Sequence, residues 1–370
     1  MNQFIPFLDL KKSVQGQRQK LNEAWDRVLD SGHFVLGKEL TTFEEKFAKA
    51  ISSEWSLGCA NGTDTLEIGL KALNIGPGDE VITTPLTAMP TLMGISATGA
   101  TIRLADVNAH DGLISTKEIL KTISSKTKAI VPVHLYGQIC DMEEITSIAK
   151  KNNIKILEDC AQSFGAKRNG KSSGSWGDLA SWSFYPTKNL GALGDGGALS
   201  GNTAELKNLV SYLRNYGQSK TYHHDFIGRN SRLDELQAAI LSERLDFSQS
   251  ELKARLNIAN FYLTELKNKI KIISSNLITD STYSCYHLFV ISCPYNRDLF
   301  QQNLKEQGVG SLVHYPIPAH KQKAFSFLKY SLDDFPNANS LSQTVLSLPL
   351  NPYMSELEMK RVSDAVKKIV

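Results

Sequence analysis

Between residues 55 and 200, short runs rich in β-branched and aromatic residues alternate with helical patterns, and this alternation constrains the chain more than any other feature. The runs are "EVITTP" (80–85), "TIRLADV" (101–107), "KAIVPVHL" (128–135), "IKILEDC" (154–160) and "LASWSFY" (179–185). Between them, "TKEILKTISS" and "MEEITSIAKKNN" space apolar residues for one helical face. Strands joined through crossover helices need a mostly parallel sheet with helices on its faces. The first half therefore reads as a doubly wound α/β domain. With 370 residues, 41% of them hydrophobic, the chain can bury a large core and has room for a second domain.

The segment 232–270 reads as long helix, broken near Phe247 to Ser250, leading away from the sheet. A smaller α+β unit follows, with strands expected at "YHLFVIS" (286–292) and "SLVHYP" (311–316) and a closing helix at 356–369. The expected division is a large α/β domain over 1–245, N-terminal segment included, and a small α+β domain over 246–370. No Pro/Gly/Ser linker separates them, so they should be tightly joined.

Charge and cysteine content exclude several functions. Lysine and arginine total 41 against 38 aspartate and glutamate, a net charge of +3 without a long basic run, so no nucleic-acid partner is expected. The five cysteines form no CxxC pair and are scattered, which argues against a disulfide framework or a zinc knuckle and fits a reducing compartment. The opening "MNQFIPFLDLKKSVQGQRQK" lacks a basic region followed by a long apolar run, and no window approaches the length of a membrane span. A cytoplasmic location and no membrane partner are expected.

Ligands of open α/β sheets bind outside the carboxyl ends of the strands, and three places there carry chemistry. In "IKILEDCAQSFGA" an apolar run ends in Glu158 and Asp159, with Gln162 beyond; one carboxylate either caps the next helix or serves a ligand. In "CANGTDTLEIGLKAL", Gly62 and Thr63 open a helix whose free N–H groups either are simply capped or receive an anion. In "SFYPTKNLGALGDGGA", Ser183 lies five residues before Lys188, which either faces solvent or is buried, where desolvation favours the free amine that attacks carbonyls. A nucleotide loop of the GxxxxGK[ST] type has the reverse order, glycines before the lysine. Together, an amine for a Schiff base, a carboxylate for a pyridinium proton and a phosphate cradle are what pyridoxal 5'-phosphate (PLP) requires.

These motifs, with "SGHFVLGKELTTFEEKFA" (31–48), "VHLYGQICDM" (133–142), "LRNYGQSKTYHH" (213–224) and "GRNSRLDELQAAIL" (228–241), resemble the DegT/StrS-type sugar-nucleotide aminotransferases over nearly the whole chain. The resemblance implies the aspartate aminotransferase (fold type I) architecture. It implies that Lys188 carries the coenzyme and shuttles protons, that Asp159 pairs with the pyridinium nitrogen and that Gln162 approaches the ring hydroxyl. Ser183, Gly62 and Thr63 would hold the phosphate. In the family an asparagine at the position of Asn230 reaches the phosphate from the neighbouring subunit, which implies a homodimer with shared active sites. Tyr222, His223 and His320 would meet the sugar or the nucleotide diphosphate; the alternative for the histidines is a soluble surface.

The implied reaction takes an amino group from L-glutamate to a nucleotide-linked keto sugar. The run "NLGALGDGGA" resembles members that aminate C3 of a 3-keto-6-deoxyhexose carried on dTDP, the alternatives being C4 amination or a UDP-sugar. A PLP-dependent sugar dehydratase of this fold would have histidine in place of Lys188, and a non-catalytic regulator would need a further module for which the chain has no spare segment. No metal is expected, since no third ligand accompanies the histidines at a recognisable spacing. One departure stands out: where many relatives place an aromatic ring over the coenzyme, this chain has Ala88 between Thr87 and Met89.

Overall fold

Val81 and Ile82, Ala129 and Ile130, and Ile156 and Leu157 are buried although neighbours in a strand point to opposite faces, the pattern imposed on a sheet covered on both sides. The computed structural model describes residues 4–274, 279 and 281–370. The main sheet has seven strands, β1 (Trp55–Cys59), β2 (Glu80–Thr83), β3 (Thr101–Leu104), β4 (Thr127–Ile130), β5 (Lys155–Asp159), β6 (Leu179–Ser183) and β7 (Gly197–Gly201). Their spatial order is β1-β7-β6-β5-β4-β2-β3. Pairing is parallel from β3 through to β6 and antiparallel on both sides of β7. All five expected runs are strands of this sheet.

β1 and β7 were not among the expected strands. Their sequences, WSLGC and GALSG, are poor in β-branched residues because close packing selects small ones. A Cβ on Gly201 would lie 2.7 Å from the Trp55 ring, and one on Gly58 would lie 2.8 Å from both Leu40 and Leu233. Leu40 belongs to helix α1 (Lys38–Ala50), which packs over β1 and continues the core with Phe43 and Phe47 against Trp182 and Phe184.

Two expectations for the second half are corrected. The long helix is unbroken: α3, defined here as Glu235–Leu266 after α2 at Gly62–Ala72, runs straight through Phe247 to Ser250. The serines stay helical by returning their hydroxyls to the preceding turn, Ser248 Oγ to the Leu245 carbonyl at 2.6 Å and Ser250 Oγ to the Phe247 carbonyl at 2.7 Å. Residues 311–316 do not form a strand; their one ladder pairing with the small sheet is a bridge between Leu312 and Ser347. The place is filled by Val345–Leu348, which pairs antiparallel with Phe289–Ser292, itself paired with Lys271–Ile272. Phe289, Ile291, Leu346 and Leu348 form a second core with Tyr262 of α3 and Val362 of the closing helix Glu356–Ile369.

The start of α3 fixes the N-terminal region. Glu235, 2% exposed, accepts the Gly37, Glu39 and Leu40 amides at 2.7, 2.8 and 3.1 Å and so caps α1 from outside. Glu235→Ala should lower unfolding stability by roughly 3 kcal/mol, the order expected when buried amides lose a charged acceptor. Urea denaturation checks this; an unchanged midpoint would show that these amides find other partners.

Candidate active site

The carboxyl ends of β5 and β6 and the start of α2 meet at a cavity of about 260 Å³ whose lining includes Asn61, Gly62, Thr63, Asp159, Gln162, Ser183 and Lys188. Backbone proximity builds it. A Cβ on Gly62 would stand 2.7 Å from the Ser183 Cβ, and one on Gly197 would stand 2.6 Å from the Asn61 backbone. Only glycine at these places lets the helix start, the end of β6 and the start of β7 converge. Asn61 caps α2 by accepting the Asp64 amide at 2.8 Å, leaving the amides at the first positions of the helix beside the Ser183 hydroxyl. Small residues, helix N–H groups and a hydroxyl together make an anion cradle.

The adjacent carboxylates of β5 point to opposite faces and do different work. Glu158 is fully buried and accepts the Trp176, Gly177 and Gly174 amides at 2.7, 2.7 and 2.9 Å, with His134 Nε2 at 2.9 Å. Since His134 Nδ1 accepts the Cys140 amide at 3.3 Å, the proton belongs on Nε2, which donates to Glu158. Glu158 therefore clamps the loop before β6. His134, Glu158 and the Cys160 thiol lie within 4.8 Å of one another, a grouping that offers metal-ligand types, but hydrogen bonds already occupy the first two. Burial holds the Cys160 thiol well above its ordinary pKa, in its protonated form.

Asp159 faces the cavity. Thr91 Oγ1 donates to Oδ2 at 2.8 Å, the Ala161 amide to Oδ1 at 3.2 Å, and Thr91 in turn meets Thr87 Oγ1 at 2.8 Å. Burial pushes the Asp159 pKa up, while Thr91, the Ala161 amide and the charge of Lys188 pull it down. Lys188 is half-buried along its length, and desolvation of its ammonium lowers its pKa to about 8 against the opposing attraction of Asp159. Two opposite charges thus face one cavity, each disfavoured by burial. Gln162 is fixed at both ends, accepting the Tyr136 amide at 2.8 Å and donating to Tyr315 Oη at 2.9 Å.

The remaining expected residues are placed less centrally. Asn230 is exposed and lines a neighbouring groove that shares Asn61 and Asp195 with the cavity. Tyr222, 90% exposed, and His223 sit at an exposed hairpin and do not line the cavity. His320 is buried rather than at the surface, its ring 4.8 Å from that of Phe335, and burial lowers its pKa to about 4. It too is outside the cavity lining, although the neighbouring Ala319 amide bonds the Pro85 carbonyl at 2.8 Å. Ala88 and Pro90 line the cavity, whereas Met89 packs against the main core. Thr87, Thr91, Tyr185 and Asp195 also line it and were missed; hydroxyls four residues apart at a helix start were the one available signal.

The arrangement fits PLP. A buried carboxylate held by neutral donors suits a protonated ring nitrogen, the glycine-opened cradle suits a phosphate ester, and a lysine amine of lowered pKa suits an aldehyde. Unfolding of the coenzyme-free protein should separate the two carboxylates. Glu158→Ala strands three amides and should cost about 3 kcal/mol or more, whereas Asp159→Asn removes a disfavoured buried charge and should leave stability unchanged or raised. Equal losses in the two variants would contradict this division of labour.

Residues 15–367 match the DegT/DnrJ/EryC1/StrS aminotransferase family. The chain is 47% identical over 364 residues to dTDP-3-amino-3,6-dideoxy-alpha-D-galactopyranose transaminase of Aneurinibacillus thermoaerophilus, covering 98% of this chain and 99% of that one. It is 38% identical over 363 residues to the pleiotropic regulatory protein of Geobacillus stearothermophilus, covering 98% and 97%. The solved structure of S. venezuelae DesV in complex with a ketimine intermediate superposes with a TM-score of 0.95 at 37% identity, covering 99% of this chain and 98% of that one. Among the described residues, no helix is long and apolar enough to cross a membrane. Sequence and fold lead to the same conclusion: the chain belongs to the DegT/DnrJ/EryC1/StrS aminotransferase family.

Proposed function

We propose that the protein transfers an amino group from L-glutamate to C3 of a dTDP-linked 3-keto-6-deoxyhexose, with PLP as coenzyme, as a cytoplasmic homodimer. The observation that carries the chemistry is the single cavity faced by Lys188 and Asp159. The choice of sugar and carbon follows the relative that is 47% identical and named for a dTDP-3-amino-3,6-dideoxyhexose. In this reading residues 1–245 form the coenzyme domain and 246–370 the smaller one. Against a purely regulatory role stands the amine lowered to about 8 beside a buried acid, an arrangement that a binding function alone does not need.

When bound, PLP supplies a carbonyl that condenses with amines and a ring that accepts the electrons freed at the substrate carbon. The chain's own residues do the rest. Lys188 Nζ takes the α-proton of the donor in one half of the reaction and delivers a proton to the sugar carbon in the other. Asp159 keeps the ring nitrogen protonated, and Thr91 with the Ala161 amide fixes its carboxylate for that task. Gln162, locked by Tyr136 and Tyr315, would meet the ring hydroxyl. Gly62, Thr63 and Ser183 hold the phosphate, completed by Asn230 of the partner subunit. The consecutive Phe34, Val35 and Leu36, each at least 44% exposed, support a dimer, since Val35 lines the same groove as Asn230. Tyr222 and His223 remain proposed contacts of the sugar nucleotide; the packed ring of His320 acts at most through Pro85 and the segment that follows it.

The coenzyme-loaded protein should show the visible absorbance of lysine-bound PLP and lose it on adding L-glutamate, and Lys188→Ala should show neither change. A Lys188→Ala protein that aminated keto sugars as fast as its parent would defeat the assignment. Uptake of PLP by coenzyme-free protein should rise about tenfold per pH unit and level off above about 8, because only the deprotonated Lys188 reacts; a rise continuing to pH 10 would indicate an ordinary surface lysine. A panel of dTDP-, UDP- and GDP-linked 3-keto and 4-keto sugars with product analysis tests the acceptor, and amination at C4 would overturn the proposed regiochemistry.

A further inference from the structure

A second cavity of about 320 Å³ is lined by Thr187, next in sequence to Lys188, and by Arg255, His287, His314, Leu312 and Leu350 among others. Arg255 of α3 is its charged group. The residue is only 6% exposed, its Nη1 donates to the Tyr286 and Leu350 carbonyls at 3.2 and 3.4 Å, and its Nε has no partner among the described residues. Glu251 acts on it through charge without a hydrogen bond, and Glu251 Oε1 accepts hydrogen bonds from Gln17 and Tyr353. A buried guanidinium left without a bonded carboxylate is costly unless an anion completes it.

The other polar groups suit the same anion. Burial and the charge of Lys188 hold both histidines below their ordinary pKa, His314 at about 4, so they are neutral at physiological pH. Ser347 Oγ stands 2.9 Å from His314 Nδ1 and can donate to it, leaving Nε2–H as a donor. No carboxylate lines the cavity, and Leu312 and Leu350 give it aliphatic walls. A cation, a neutral imidazole donor and apolar walls beside the reactive amine match a carboxylate on a short aliphatic stem. We propose that this cavity is the carboxylate subsite for a dicarboxylic amino donor, with Arg255 as its anchor. The proposal rests on the aminotransferase reading and adds where the donor is recognised.

Glutarate, a dicarboxylate without an amine, is the probe, titrated calorimetrically into the PLP-loaded protein. Saturable binding is expected, with none for the uncharged glutaramide and binding by inorganic phosphate at least about tenfold weaker. Arg255→Lys should weaken glutarate about tenfold. Because Arg255 also supports backbone carbonyls, Leu312→Glu, at a residue 48% exposed that makes none of those bonds, provides a second variant, and its added carboxylate should weaken glutarate by a similar factor. Absence of glutarate binding, or parental affinity in both variants, overturns the subsite, and phosphate binding as tightly as glutarate overturns its carboxylate character. Bleaching of the visible band by L-glutamate is recorded on the same samples. Bleaching without glutarate binding defeats the subsite alone, whereas absence of the band defeats the aminotransferase reading and the donor subsite with it.

Discussion

Two opposite charges enclosed in one cavity, each disfavoured by burial and neither neutralised by the other, set the requirements for everything around them. Asp159 is kept usable as an anion by Thr91 and the Ala161 amide, and Lys188 is moved toward its free amine by desolvation. Direct pairing would satisfy both and leave nothing for chemistry. Held apart, they fit a ligand that is cationic at one edge and electrophilic at another. The stability forgone here is supplied elsewhere in the sheet, most visibly by Glu158, whose buried carboxylate is saturated with hydrogen bonds one residue away.

A single helix coordinates the surroundings of this pair. At its start, α3 caps α1 through Glu235; further along, Arg244 Nη1 donates to the Gly191 carbonyl at 2.8 Å and fixes the glycine-rich loop after Lys188. Beyond it Arg255 reaches the second cavity, and Tyr262 enters the core of the small sheet. A break at Phe247 to Ser250 would have separated those contacts. Its continuity makes the loop carrying Lys188 and the small sheet parts of one packed unit.

The central strands, the lysine, the acid and the helix-start cradle were legible because each has a local signature: an apolar run, a polar residue closing it, or a glycine before helical spacing. β1 and β7 were not, because their small residues answer to close packing by Trp55, Leu40 and Leu233, which are remote in sequence. Phe247 to Ser250 suggested a break by composition, yet serine hydroxyls bonded back within the helix. The 311–316 run had strand composition but lost its place in the sheet to Val345–Leu348. Thr91 carried no clear sign of its role, since its significance depends on a carboxylate 68 residues away in the chain. His320 was expected at the sugar nucleotide, with a soluble surface as the alternative, whereas its ring is buried against Phe335.

The chemistry proposed for the cavity turns on the amine of residue 188 being the one that takes the coenzyme. Reducing the PLP-loaded protein with borohydride and mapping its peptides by mass spectrometry tests it most directly. The mass of the reduced coenzyme is expected on Lys188 and on no other lysine; the same mass on another lysine, or on none, would rule out Lys188 as the coenzyme's attachment point.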